Sequence, residues 1–182
     1  MTPPRLRFSA AAAYRHLRAA DPVLAAIIEA HGPFRLRPAM DHYESLLRTI
    51  LFQQLAGAAA RTIQRRWLAL YGDGPAGGEG RYPTPEELLA AAHAVCFAMV
   101  LTNTIGKQGG KAGKVRVTAT VTADKGDAGI KVTSSHLTAT VDGLEGIEKG
   151  KLQELAVGAE KGCPISNAIR GSVSITVAAT AS

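Results

Sequence analysis

Thr84-Pro-Glu-Glu-Leu-Leu-Ala-Ala-Ala-His-Ala-Val-Cys-Phe-Ala-Met99 decides the fold of this 182-residue chain. It reads as the start of one long, nearly apolar helix running from Pro85 to about Ile105, with Gly106 ending it. Thr84 can cap the helix, and Pro85 suits the first turn because its missing N–H would have no partner there. Glu87 stands three residues after Thr84, the spacing of a capping box. Glu86 and Glu87 also favour the positive end of the helix dipole. The helix carries Cys96, the first of two cysteines.

Downstream, Gly106-Lys-Gln-Gly-Gly-Lys-Ala-Gly-Lys114 is a turn. Its Gly and Lys do not have phosphate-loop spacing, and it follows a helix rather than a strand. Val115, Val117, Ala119 and Val121 alternate with Arg116, Thr118, Thr120 and Thr122, which predicts a half-buried strand. Asp124 to Gly129 is a hairpin turn without the carboxylate pattern of a calcium loop. The return strand, Ile130 to Val141, changes phase between Ser134 and Leu137, so a bulge is expected there. An amphipathic helix from Glu148 to Lys161 is broken by Gly162-Cys163-Pro164, and Ile165 to Arg170 adds a turn. Val173, Ile175, Val177 and Ala179 mark a last strand.

Upstream the chain is helical. Ser9 caps a segment to about Ala20, Asp21-Pro22 opens a second helix that Gly32 ends, and Pro33 to Pro38 is an extended link. Asp41 with Glu44 opens a third helix with a stripe of Leu46, Leu47, Ile50, Leu51 and Leu55. Ala58 to Tyr71 is the fourth, and Gly72 to Gly80 has loop composition. Arg61, Arg65 and Arg66 form a basic cluster on the fourth helix: a solvated face, or a surface for DNA phosphate.

Composition divides the chain at the same place. Residues 1–84 hold 11 Arg and no Lys, whereas residues 85–182 hold 2 Arg and 8 Lys. Eight of nine aromatic residues precede residue 85. Helix and strand preferences do not explain an absence of Lys, so two segments of different origin are expected, 1–80 and 84–182. No run of apolar residues is long enough to cross a bilayer, and the Pro- and Arg-bearing start lacks a signal-peptide core. A cytoplasmic protein without membrane contact is the expectation. Two cysteines are too few for a disulfide framework and point to buried filler or redox chemistry. His93 has no companion at metal-ligand spacing and is expected to pack or hydrogen-bond. No metal or cofactor is implied.

Two resemblances follow. Pro33-Phe-Arg-Leu36, Tyr43-Glu-Ser-Leu-Leu-Arg-Thr-Ile-Leu-Phe-Gln-Gln54 and Ala58-Ala-Ala-Arg-Thr-Ile63 resemble the amino-terminal helices of helix-hairpin-helix DNA glycosylases of the alkyladenine type. That family carries a Ser or Thr cap where this chain has Ala56. Its Gly-rich hairpin and following catalytic Asp have no counterpart here, and four helices are a poor scaffold for the pocket that base extrusion requires. The second resemblance is more specific. Pro85 to Met99, Thr118-Ala-Thr-Val-Thr-Ala-Asp-Lys125 and Gly162-Cys-Pro-Ile-Ser166 resemble OsmC-type peroxidases, which include the Ohr organic hydroperoxide reductases. The Ala-His-Ala-x-Cys-Phe form is that of the OsmC branch.

This resemblance implies an α+β fold: an all-α amino-terminal segment, then an incomplete OsmC-like domain of long central helix, β-hairpin, helix and final strand. It implies a peroxidatic Cys96, a resolving Cys163, a Glu86 that helps an arginine organise the thiolate, and a homodimer acting on organic hydroperoxide with a dithiol reductant. The family's first strands and activating arginine precede the central helix, and here the glycosylase-like helices stand in their place. On an unbroken helix Glu86 lies ~15 Å from Cys96, so contact requires a helix break or a partner subunit.

Overall fold

The computed structural model describes residues 9–32, 41–72, 80–127 and 129–182. The expected link at Pro33–Pro38 and most of the Gly-rich loop at 72–80 lie outside the described residues. The chain divides into two compact units, Met1–Leu70 and Tyr71–Ser182.

The first unit is built from local signals. The Ser9 side chain accepts from the Ala12 N–H and starts α1 (Ala10–Ala20). Asp21 ends α1 through its own N–H and starts α2 (Pro22–His31), its carboxylate accepting from Val23 and Leu24 at 2.8 and 3.2 Å. Gly32, at φ 72°, closes α2 in a conformation that costs glycine little. Asp41 caps α3 (His42–Leu51), and α4 spans Gly57–Leu68 before a 3₁₀ turn at Ala69–Tyr71.

The second unit begins with α5 (Pro85–Lys107), which forms the expected capping box. The Thr84 oxygen accepts from the Glu87 N–H, and the Glu87 carboxylate accepts from the Thr84 N–H at 2.8 Å. The helix runs through Gly106 instead of ending there. The chain turns at Gly109, whose φ of 79° is the left-handed conformation that glycine accepts. By length and composition α5 also meets the measure of a membrane span, contrary to the sequence expectation: its 18-residue window has a mean hydropathy of 1.8. Here one face of it packs on a sheet, with His93, Phe97, Leu101 and Ile105 buried.

The sheet has the order β1 (Lys114–Gly126), β2 (Gly129–Asp142), β3 (Ser174–Ala181). The β1–β2 pair is an antiparallel hairpin and β2–β3 is parallel. A parallel return needs a crossover, which is supplied by α6 (Leu152–Gly162) and α7 (Pro164–Ile169). Residues Lys149–Lys151, expected as the first turn of the longer helix, form a 3₁₀ turn. The bulge lies at Thr133, just before the expected stretch: Thr122 faces Ser134, Ala123 faces Val132, and Thr133 is extra. From there Ser135, Leu137, Ala139 and Val141 all point inward and are fully buried. They meet Phe97, Leu101 and Ile105 of α5 and Leu152, Ala156 and Ala159 of α6. Each large side chain removed from water here contributes about 1.5–3 kcal/mol.

Two close approaches tie the sheet to the end of α5. Lys111 and Glu145 exchange backbone hydrogen bonds at 2.9 Å. At Gly146, φ is 75° and an added Cβ would stand 2.8 Å from the Gly109 carbonyl oxygen. At β3 the Gln153 side chain of α6 donates to the Val177 carbonyl at 2.9 Å and accepts from the Ala179 N–H at 2.7 Å. The amide thereby completes one rung along the margin of β3.

Candidate active site

The site is assembled by one face of α5 and the start of α7. Cys96 is half-buried on α5, and Cys163 is fully buried at the residue that precedes α7. Both are free thiols, and Cys96 packs against the buried cluster that contains Cys163. The fold thus joins two cysteines 67 positions apart in sequence. Pro164 occupies the first turn of α7, and Ile165, the next residue, packs against the same buried cluster as Cys96.

The electrostatics at Cys96 oppose a thiolate on balance. Burial is the largest influence and pushes the thiol above its ordinary pKa of 9.0; the Ile165 N–H pulls it down, and the Cys163 thiol pushes it up again. Among the described residues, no arginine figures in that balance. Arg81, the nearest arginine in sequence before α5, forks onto Glu87 at 2.6 and 2.7 Å. That ion pair, with the Thr84 N–H, holds the Glu87 carboxyl down to about 2. Glu86 sits half-buried in the first turn of α5. Because α5 is continuous from Pro85 to Lys107, Glu86 and Cys96 of one chain do not meet.

Three residues before Cys96, on the same face of α5, lies His93. Its ring is fully buried, with Nδ1 2.8 Å from the Ser135 hydroxyl of β2 and Nε2 2.8 Å from the Ser166 hydroxyl of α7. Burial lowers its pKa below 6.5, with a smaller opposing pull from Glu160. Glu160 is itself paired with Arg170 at 2.8 Å. Sequence reading expects His93 to pack or hydrogen-bond and names neither partner. Ser166 was visible as the last residue of Gly162-Cys-Pro-Ile-Ser166; Ser135 left only its inward phase on β2 as a signal. No group of three metal-ligating side chains occurs among the described residues. An open groove of about 530 Å³ runs between α5 and β1, lined by Met99, Asn103 and Val115 among others, and neither cysteine lines it.

The family profile described as OsmC-like protein matches residues 77–178. The chain belongs to this family. It is 35% identical over 91 residues to peroxiredoxin OsmC of Escherichia coli (strain K12), covering 50% of this chain and 63% of that protein. It therefore spans a little under two thirds of that relative's length. It is 31% identical over 105 residues to an organic hydroperoxide resistance protein of Xanthomonas axonopodis pv. citri (strain 306), covering 57% of this chain and 70% of the relative. A crystal structure of an organic hydroperoxide resistance protein from Elizabethkingia anophelis matches 62% of this chain and 78% of its own. The identity is 29% and the TM-score 0.50. The OsmC-like match starts at residue 77, so α1–α4 precede it. The α+β architecture read from the sequence, helices first and an OsmC-like fold after them, is the one observed.

Proposed function

We propose that the chain is a thiol-dependent peroxidase of OsmC type that reduces organic hydroperoxides through Cys96 and Cys163. The observation that carries this reading is that the fold packs Cys96 against the buried cluster that contains Cys163. In the first step the Cys96 thiolate attacks the outer oxygen of ROOH. The O–O bond breaks, ROH leaves after taking a proton, and Cys96 becomes a sulfenic acid. The Cys163 sulfur then attacks the Cys96 sulfur, forming the disulfide and releasing water. A dithiol returns both residues to thiols by exchange and is itself oxidised to a disulfide. A reducing, cytoplasmic setting belongs to this reading, as does a homodimer in which the partner brings Glu86 toward the thiol. The outer side of α5 supports the dimer, since Val95 is 63% and Met99 69% exposed.

The test is hydroperoxide-dependent consumption of a dithiol. Parent protein is expected to turn over, Cys96→Ser to lose all turnover, and Cys163→Ser to accumulate a sulfenic acid that dimedone traps. Equal rates for parent and Cys96→Ser would sink the reading. An inactive chain is the second reading, and the raised pKa of Cys96, to which no arginine among the described residues contributes, favours it. In that case parent and Cys96→Ser are both silent.

We also propose that residues 1–80 are a glycosylase-like helical fragment joined to the domain at 84–182, a chimera of two origins. The start of the OsmC-like match at residue 77 and the change from Arg to Lys support this. Arg61, Arg65 and Arg66 are exposed on α4 and give DNA phosphate a surface to meet. DNA retention at low salt that weakens steeply as salt rises would support that role, and no retention at low salt would remove it.

A further inference from the structure

We infer that His93 is a positioning residue: by bridging Ser135 of β2 and Ser166 of α7, it holds the start of α7, and with it Cys163, against Cys96. The inference rests on the Cys96–Cys163 reading above, but on the placement of the two cysteines in the fold rather than on peroxide chemistry.

Three observations carry it. The Ser–His–Ser chain is fully buried at all three members, so no substrate reaches it, and a role as nucleophile or base toward a bound molecule is excluded. Both imidazole nitrogens are used, at 2.8 Å each. A neutral ring has one donor and one acceptor, so one serine donates to the ring and the other accepts from it. The chain also joins three separate elements at the cysteines: His93 is one turn before Cys96 on α5, and Ser166 is three residues after Cys163. Helix α7 has only six residues, too few to hold its own orientation. Its grip on the unit therefore depends on side chains such as Ser166. If that grip loosens, Cys163 samples positions away from Cys96, and the intramolecular reaction loses its advantage over an external thiol.

The test measures disulfide closure without peroxide. The full chain is equilibrated in glutathione redox buffers, and the Cys96–Cys163 disulfide is quantified by maleimide gel shift. Ser166→Ala is expected to lower the effective concentration of the closing thiol roughly tenfold, and Ser166→Thr, which restores a hydroxyl, to recover most of it. Should Ser166→Ala not fold, Ser135→Ala loosens the other end of the bridge and carries the same expectation. Val141→Ala, a core truncation away from the bridge, serves as the stability control; it should lower Tm and leave closure unchanged. Closure within twofold of the parent in the serine variants, or an equal loss in Val141→Ala, overturns the inference. A parent that closes the disulfide but consumes no hydroperoxide fails as a peroxidase while the same titration still decides the role of His93. A parent that never closes the disulfide overturns both.

Discussion

The two units of this chain are stabilised by different means. In the unit at Met1–Leu70 the helices are defined by caps and turns, and Leu47 and Ala60 are the buried apolar side chains among its described residues. Leu46 and Ile50 of α3, Val23 and Ile27 of α2 and Ile63 of α4 all remain exposed. In the unit at Tyr71–Ser182, α5, α6 and β2 each contribute several fully buried side chains to one cluster. Local signals suffice to start and stop a helix, but most of a helix's stability in water comes from packing its apolar face. The first unit has strong signals and little packing; the second has both.

The largest test of this contrast is truncation. Phe97→Ala removes a side chain from the centre of the second unit and is expected to cost about 3–5 kcal/mol. Ile50→Ala on an exposed stretch of α3 is expected to stay within about 0.5 kcal/mol. Urea midpoints of the two variants decide the matter, and comparable losses would erase the distinction. A smaller effect comes from the backbone. Gly146→Ala meets both a left-handed φ and the Gly109 carbonyl, so a loss of about 1–3 kcal/mol is expected. An unchanged Tm would show that the loop shifts freely.

The smallest signal is in pH. Burial keeps the folded-state pKa of His93 below the ordinary 6.5. As pH falls through 6.5 the unfolded chain takes up this proton and the folded chain does not. Stability present above pH 6.5 is therefore lost as pH drops toward the folded-state value. The second unit is expected to unfold at lower urea at pH 5.5 than at pH 7.5, with a weaker dependence in His93→Gln. A midpoint that rises on acidification contradicts it.

Much of the second unit could be read from its residues. The Thr84–Glu87 box, the alternation of Val115 to Val121 and the break at Cys163-Pro164 all use short-range chemistry, and each corresponds to an observed feature. The misreadings have physical causes. The bulge was expected after Ser134 because Thr133, Ser134 and Ser135 are small and polar, so hydropathy carries no phase across them. Gly106 reads as a stop, yet a glycine tolerates helical dihedrals; the residue in the left-handed conformation is Gly109. Ser135 is a polar residue on an inward face, and nothing within a few positions announces that its partner lies 42 residues earlier. Arg81 could not be assigned from spacing, since its carboxylate partner, Glu87, was already accounted for by the cap.

The amide of Gln153 has one further consequence. It fills the hydrogen-bonding rung at Val177 and Ala179 on the outer side of β3, a strand of eight residues. Among the described residues β1 pairs with β2 alone. A strand arriving at β3 would have to displace that amide before pairing at this rung.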